Sequence, residues 1–145
     1  MIKLGKMTDY AVVILSEIAR TGQENVVKVS SLVETTGLSK TTIAKLTKIL
    51  VKGKILTSSR GILGGYALAM PPHDITMKDV ITAVEGPVAL TSCLDHTSNS
   101  CLIQNVCQVR GNWEKVNNEI VESLQRVTIA DMMSSKRCSS HHKEI

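Results

Sequence analysis

The sequence predicts a mainly α-helical protein: a winged helix-turn-helix head, made of helices and a two-stranded wing, followed by a long C-terminal helix. Three observations carry this. Apolar residues make up 43% of the 145 residues and aromatics only 2%, so the core must be built from Ile, Leu, Val, Ala and Met, as in compact helical packing. Apolar positions recur at three- and four-residue intervals through most of the chain. The stretch ILTSSRGILGGYALA, residues 55–69, breaks that period and reads as two short strands around a glycine-rich tip.

The first helix is expected to be capped by Thr8. Asp9 lies in its first turn, where the helix dipole favours an acid, and Ala11, Ile14, Leu15, Ile18 and Ala19 fall on one face. It ends near Thr21 and Gly22. The run SSLVETTGLSKTTIAKLTKILVKG then reads as two helices. Ser31 with Glu34 has capping-box spacing for the first, Gly37 supplies the left-handed residue that ends it, and Ser39 caps the second.

Within this pair Val33, Gly37, Leu38, Ile43, Leu46 and Leu50 follow helix-turn-helix spacing, with Ile49 also inward. The opposite face of the second helix carries Thr41, Lys45, Lys48 and Lys52, a row that suits a polyanion and equally suits a solvated surface. The hairpin that follows, Ile55–Ser59 and Tyr66–Ala69 around RGILGG, weighs towards the polyanion. A helix-turn-helix followed at once by such a hairpin is the order of a winged helix, in which the second helix enters the major groove and the wing sets Arg60 into the minor groove. Gly61, Gly64 and Gly65 permit the turn whatever its function.

Pro71 and Pro72 close the winged region. Thr76 and Asp79 open another helix with Val80, Ile81 and Val84 inward, stopped by Gly86 and Pro87. A loop rich in Ser, Thr and Asn follows. From about Val109 the chain is helical again, with Val109, Trp113, Val116, Ile120, Leu124 and Val127 on one stripe. A single apolar stripe on an elongated helix beyond a compact head is best explained by a partner, so a homodimer through this helix is expected. Thr128 with Asp131 marks a last short helix. The predicted organisation is a winged head over 1–72, then a connecting helix, cysteine loop and dimerisation helix over 73–133, then a disordered tail over 134–145.

Charge supports the same division. Residues 1–61 carry ten Lys and Arg against four Asp and Glu, residues 62–110 two against four, and residues 111–145 five against five. The basic excess belongs to the winged part. The apolar run Ala11–Leu15 is broken at Ser16 and Glu17 with no cleavage site after it, which argues against a signal peptide, and no apolar run is long enough to span a bilayer. A cytoplasmic location is therefore expected. No Ser-His-Asp set, phosphate loop or paired carboxylates stand in a plausible catalytic context, which argues against an enzyme.

Three of the four cysteines lie in CLDHTSNSCLIQNVC, residues 93–107. In a reducing compartment such a cluster points to metal or redox chemistry rather than a permanent disulfide. Seven and five residues separate Cys93, Cys101 and Cys107, too many for the CxxC knuckles of structural zinc. Thiolates spaced this widely suit a larger object such as an iron-sulfur cluster, while zinc, a thiol redox switch or no function stay open. Cys138, His141 and His142 in the tail are ligand types without a closed site.

TDYAVVIL near the start, the turn GLSKTTIAKL, the wing SSRGILGGYALA and a three-cysteine loop before a long helix together resemble the iron-sulfur winged-helix regulators that include IscR and NsrR. The resemblance spans roughly residues 1–133, and LGKMTDYAVVILSEIAR looks most like the regulators that accompany SUF-type iron-sulfur assembly operons. It implies a cytoplasmic homodimer that binds inverted-repeat promoter DNA as a repressor and responds to a 2Fe-2S or 4Fe-4S cluster on Cys93, Cys101 and Cys107. IscR-type members place a histidine three residues after the last cysteine; here that residue is Arg110, which cannot deprotonate to ligate iron. The NsrR-type acid at the start of the first helix corresponds to Asp9, with His96 in the loop as the alternative. The DNA contacts expected are Ser39, Lys40, Thr41, Thr42, Lys45 and Arg60, supported by Lys48 and Tyr66. Two other readings compete: a thiol-redox or nitric-oxide responsive winged-helix regulator, and a small metal-binding redox protein with no DNA role.

Overall fold

The computed structural model describes residues 3–95, 101–103 and 105–134. Its elements are α1 (Lys6–Arg20), α2 (Val29–Thr36), α3 (Lys40–Lys52), β1 (Leu56–Ser59), β2 (Gly65–Leu68), α4 (Met77–Glu85), α5 (Arg110–Arg126) and α6 (Ile129–Ser134). This is the expected mainly helical fold with a two-stranded wing. The strands pair antiparallel, Leu56 opposite Leu68 and Ser59 opposite Gly65. Val27 adds a bridge to Tyr66, so the wing root is held on both sides.

The core is aliphatic. Ile14, Leu15 and Ile18 of α1, Leu32 of α2, and Ile43, Leu46 and Leu50 of α3 are fully buried together with Ile75, Val80 of α4 and Ile129 of α6. The segments before α4 and α6 run side by side: Met77 N–H donates to Val127 C=O at 2.8 Å and Ile129 N–H to Ile75 C=O at 2.9 Å. Both helices then start from matching caps. Thr76 and Asp79 form a reciprocal capping box. Thr128 and Asp131 repeat its hydrogen bonds.

The caps differ from expectation at the first two helices. α1 begins at Lys6 with Gly5 as its cap residue, and Thr8 is buried in the helix with its hydroxyl donating to the Glu85 carboxylate. Ser31 and Glu34 form no capping box. α2 starts at Val29, because the Val27–Tyr66 bridge delivers the chain extended to Lys28, and the Ser31 carbonyl instead accepts from Thr35 Oγ1 within the helix. Gly37 (φ +72°) and the Ser39 cap, which accepts from Thr42 N–H, are as the sequence indicates. Ile49 is half-buried rather than fully inward.

Asp131 has a titration consequence. The Thr128 backbone N–H and then its hydroxyl hold the Asp131 carboxyl below the usual carboxylate range. A depressed folded-state value contributes stability that is present above the ordinary carboxylate range and lost as pH falls through the lowered value. Acid titration followed by carboxyl NMR is therefore expected to loosen α6 only below the ordinary range, and Asp131→Asn is expected to remove that response.

α5 buries no residue. Val109, Trp113 and Val116 are 50%, 43% and 45% exposed, Ile120 is half-buried, and only Leu124 packs against the core. Its apolar stripe is thus largely without a neighbour within the chain.

Candidate nucleic-acid interface and cysteine loop

The N-terminal half of α3 presents Ser39, Lys40, Thr41 and Lys45 to solvent, with Lys48 one turn further on and Thr42 half-buried. Ser39 is partly committed to its own helix: Oγ caps Thr42 N–H at 3.2 Å and meets Thr42 Oγ1 at 2.8 Å. Among the described residues the ion pairs are Arg20–Glu17, His73–Asp74 and Arg126–Glu122, so the α3 lysines and Arg60 stand without an acidic partner. Such a face carries uncompensated positive charge.

Arg60 follows β1 directly and is exposed. Gly61 supplies the positive φ of the turn (+100°), whereas Gly64 and Gly65 serve close approach: a Cβ on Gly65 would lie 2.3 Å from Val27 O. Tyr66 is half-buried against the core, and its backbone pairs with Val27 in both directions at 2.8 and 2.9 Å. Its ring anchors the wing root. Sequence reasoning missed Ile62 and Leu63, 92% and 86% exposed at the wing tip. An aliphatic pair between turn glycines was the available signal, since a hairpin tip has no core to bury it in.

The cysteine loop leaves α4 at Gly86, whose φ is +96°. Cys93, Cys101 and Cys107 are half-buried free thiols, with Cys93 Sγ 3.1 Å from Thr91 Oγ1. Among the described residues no three His, Cys, Asp or Glu side chains converge on one point, so the chain alone does not gather these thiols into a ligand set. Asp9 is exposed in the first turn of α1, and Arg110 is the exposed first residue of α5. His96, Cys138, His141 and His142 lie outside the described residues.

Two polar contacts that the sequence did not reveal tie this loop down. Glu85, the last residue of α4, accepts from Gly5 N–H at 2.7 Å and from the Thr8 hydroxyl, which holds the turn containing Asp9 to the end of α4 where the loop begins. Asn117 of α5 pairs with the backbone of Val88 and Leu90. A groove of about 720 Å³ between the end of α3 and α4 is lined in part by Lys52, Lys54 and Lys78, and no cysteine lines it.

The family model for "Rrf2: Iron-dependent Transcriptional regulator" matches residues 4–135. The chain belongs to the Rrf2 family. It is 32% identical to Protein rrf2 of Nitratidesulfovibrio vulgaris over 90% of this chain and 87% of that protein. Among solved structures, T. potens IscR is 30% identical with a TM-score of 0.66, over 91% of this chain and 86% of that one. CymR, the global cysteine regulator of B. subtilis, has a TM-score of 0.70 at 26% identity, over 92% of this chain and 98% of that one. As an Rrf2-family member the protein is a DNA-binding transcriptional regulator and not an enzyme. No helix among the described residues is long and apolar enough to cross a membrane.

Proposed function

We propose that this Rrf2-family regulator is a cytoplasmic homodimeric repressor of iron-sulfur cluster assembly genes, of the SUF type, whose hold on inverted-repeat promoter DNA follows the state of a cluster on Cys93, Cys101 and Cys107. The observation that carries the reading is the place of the thiols. Three free, half-buried thiols sit on the segment that joins α4, packed into the head, to α5, whose apolar stripe is largely uncovered among the described residues, with Leu124 alone of the stripe packed against the core.

The donor set fits the group. Soft thiolates suit iron-sulfur ligation, the thiols are not paired in a disulfide, and the exposed carboxylate of Asp9 is a chemically suitable fourth donor where Arg110 is not. His96 remains the alternative fourth donor. When bound, a 2Fe-2S or 4Fe-4S cluster supplies an attachment that redox change, oxygen, nitric oxide or iron shortage can break. The residues do the rest: three thiols that form no common group among the described residues must be drawn together to share one object, which sets how α5 leaves the loop. Paired through α5, the heads then meet both half-sites in one loop state only.

On the head, Lys40, Lys45 and Lys48 would meet phosphates, Ser39, Thr41 and Thr42 would reach base edges or backbone, and Arg60 would enter the minor groove with Tyr66 steadying the wing. Arg60→Ala is expected to weaken operator binding by about 1–3 kcal/mol at matched salt. Equal affinity for the variant and parent in a fluorescence-anisotropy titration would remove the wing from the interface. The domain division at residue 72 belongs to this reading as a functional one: residues 1–72 contact DNA, residues 73–133 sense and dimerise.

The test of the whole reading is one anaerobic preparation titrated with operator before and after a chelator strips its iron. The affinity is expected to change by about tenfold or more, a typical coupling between sites. The thiol-switch reading needs only two of these three thiols, and all three are free. It predicts instead that affinity changes with a thiol oxidant in iron-free protein.

A further inference from the structure

Asn117 stands in the middle of α5, a poor place for an asparagine by helix propensity. Its side chain is committed elsewhere. Oδ1 accepts from Leu90 N–H at 3.0 Å and Nδ2 donates to Val88 C=O at 3.1 Å. One amide thereby satisfies both the donor and the acceptor of a short loop segment, as a neighbouring strand would. Three residues later comes Cys93. At the other end of the same segment, Glu85 fastens the end of α4 to Gly5 and Thr8 of α1. Residues 86–92 thus run between one anchor on the DNA-binding head and one on α5.

We propose that Asn117 is a positioning residue: through its paired hydrogen bonds to Val88 and Leu90, the state of the cysteine loop sets the angle of α5 and hence the spacing of the two heads. This rests on the reading above, that the thiols hold a cluster and that α5 dimerises. The geometry makes the contact a suitable relay. Both bonds are directional and engage alternate residues of one segment, so a rotation of the segment that breaks one breaks the other. A hydrophobic contact at the same place would tolerate sliding and transmit little.

The experiment compares wild type, Asn117→Ala and Asn117→Asp as full-length anaerobic protein, with a promoter fragment carrying an inverted repeat selected from a random library. Five quantities are measured: iron, acid-labile sulfide, oligomeric state, exchange of the Leu90 amide proton, and the ratio of operator affinity before and after chelation. Asn117→Ala is expected to keep wild-type iron, sulfide and dimer content. Its Leu90 amide should exchange at least about tenfold faster, since local protection is lost, and its affinity ratio should fall to within about twofold of one. Asn117→Asp adds a readout that a merely structural role would not move. A neutral carboxylic acid can donate to Val88 and accept from Leu90 as the amide does, and a carboxylate cannot donate, so its affinity ratio should be recovered on acidification and lost as pH rises. An Asn117→Ala protein that keeps the wild-type ratio overturns the relay alone, as does an Asn117→Asp ratio with no pH dependence beyond that of wild type. A wild-type protein whose affinity ignores chelation overturns the sensing reading and the relay with it.

Discussion

A Val116→Glu protein is expected to be monomeric and to bind an inverted-repeat operator about 10²–10⁴-fold more weakly, the loss that follows when two linked half-site contacts become independent. Val116 lies on the α5 stripe with Val109, Trp113 and Ile120, and within one chain that stripe has little to pack against. In a dimer the stripe would be buried, and burying an unpaired carboxylate there costs several kcal/mol. Because Val116 is 45% exposed in the lone chain, the substitution leaves the fold of each head intact. Sedimentation equilibrium and an operator titration check both halves of the expectation. A Val116→Glu protein that remains dimeric with unchanged affinity would show that the pairing surface lies elsewhere.

Leu46→Ala should act through the core of the winged head and by a different route. Leu46 is fully buried on the inner side of α3, in one cluster with residues of α1, α2, α4 and α6. Removing its isobutyl group leaves a cavity, with an expected loss of about 2–5 kcal/mol. That is a large share of the roughly 5–15 kcal/mol that holds a domain of this size together. Denaturant titration should show the loss, while the folded fraction keeps near-parental operator affinity because Lys45 and Lys48 point the other way. A loss below about 1 kcal/mol would mean that α3 is not seated in the core as described.

The features legible in the sequence are those set within a few residues. Gly37, Ser39, the Thr76–Asp79 box and the Thr128–Asp131 cap each depend on side chains that reach their own or the next turn, and each stands where its spacing indicates. The wing was readable for the same reason, with strand ends shifted by about a residue. What spacing could not show is long-range. Ser31 and Glu34 have the right separation for a cap, yet the chain is already helical before them because Val27 is pinned to Tyr66, far along the sequence. Thr8 resembles a cap residue but its hydroxyl is drawn to Glu85, 77 positions away. Asn117 reads as one more polar residue on a solvated helix face until Val88 and Leu90 are folded back onto it. The cysteine loop shows the same limit: its spacing suggested a shared ligand, and among the described residues no three His, Cys, Asp or Glu side chains come together.

Iron and acid-labile sulfide per chain, with the visible absorption spectrum, measured on protein purified without oxygen, test the central claim most directly. The account predicts a brown protein with charge-transfer bands and matching iron and sulfide, lost when Cys93, Cys101 or Cys107 is replaced by serine. A colourless protein carrying stoichiometric zinc, or no metal, would contradict it.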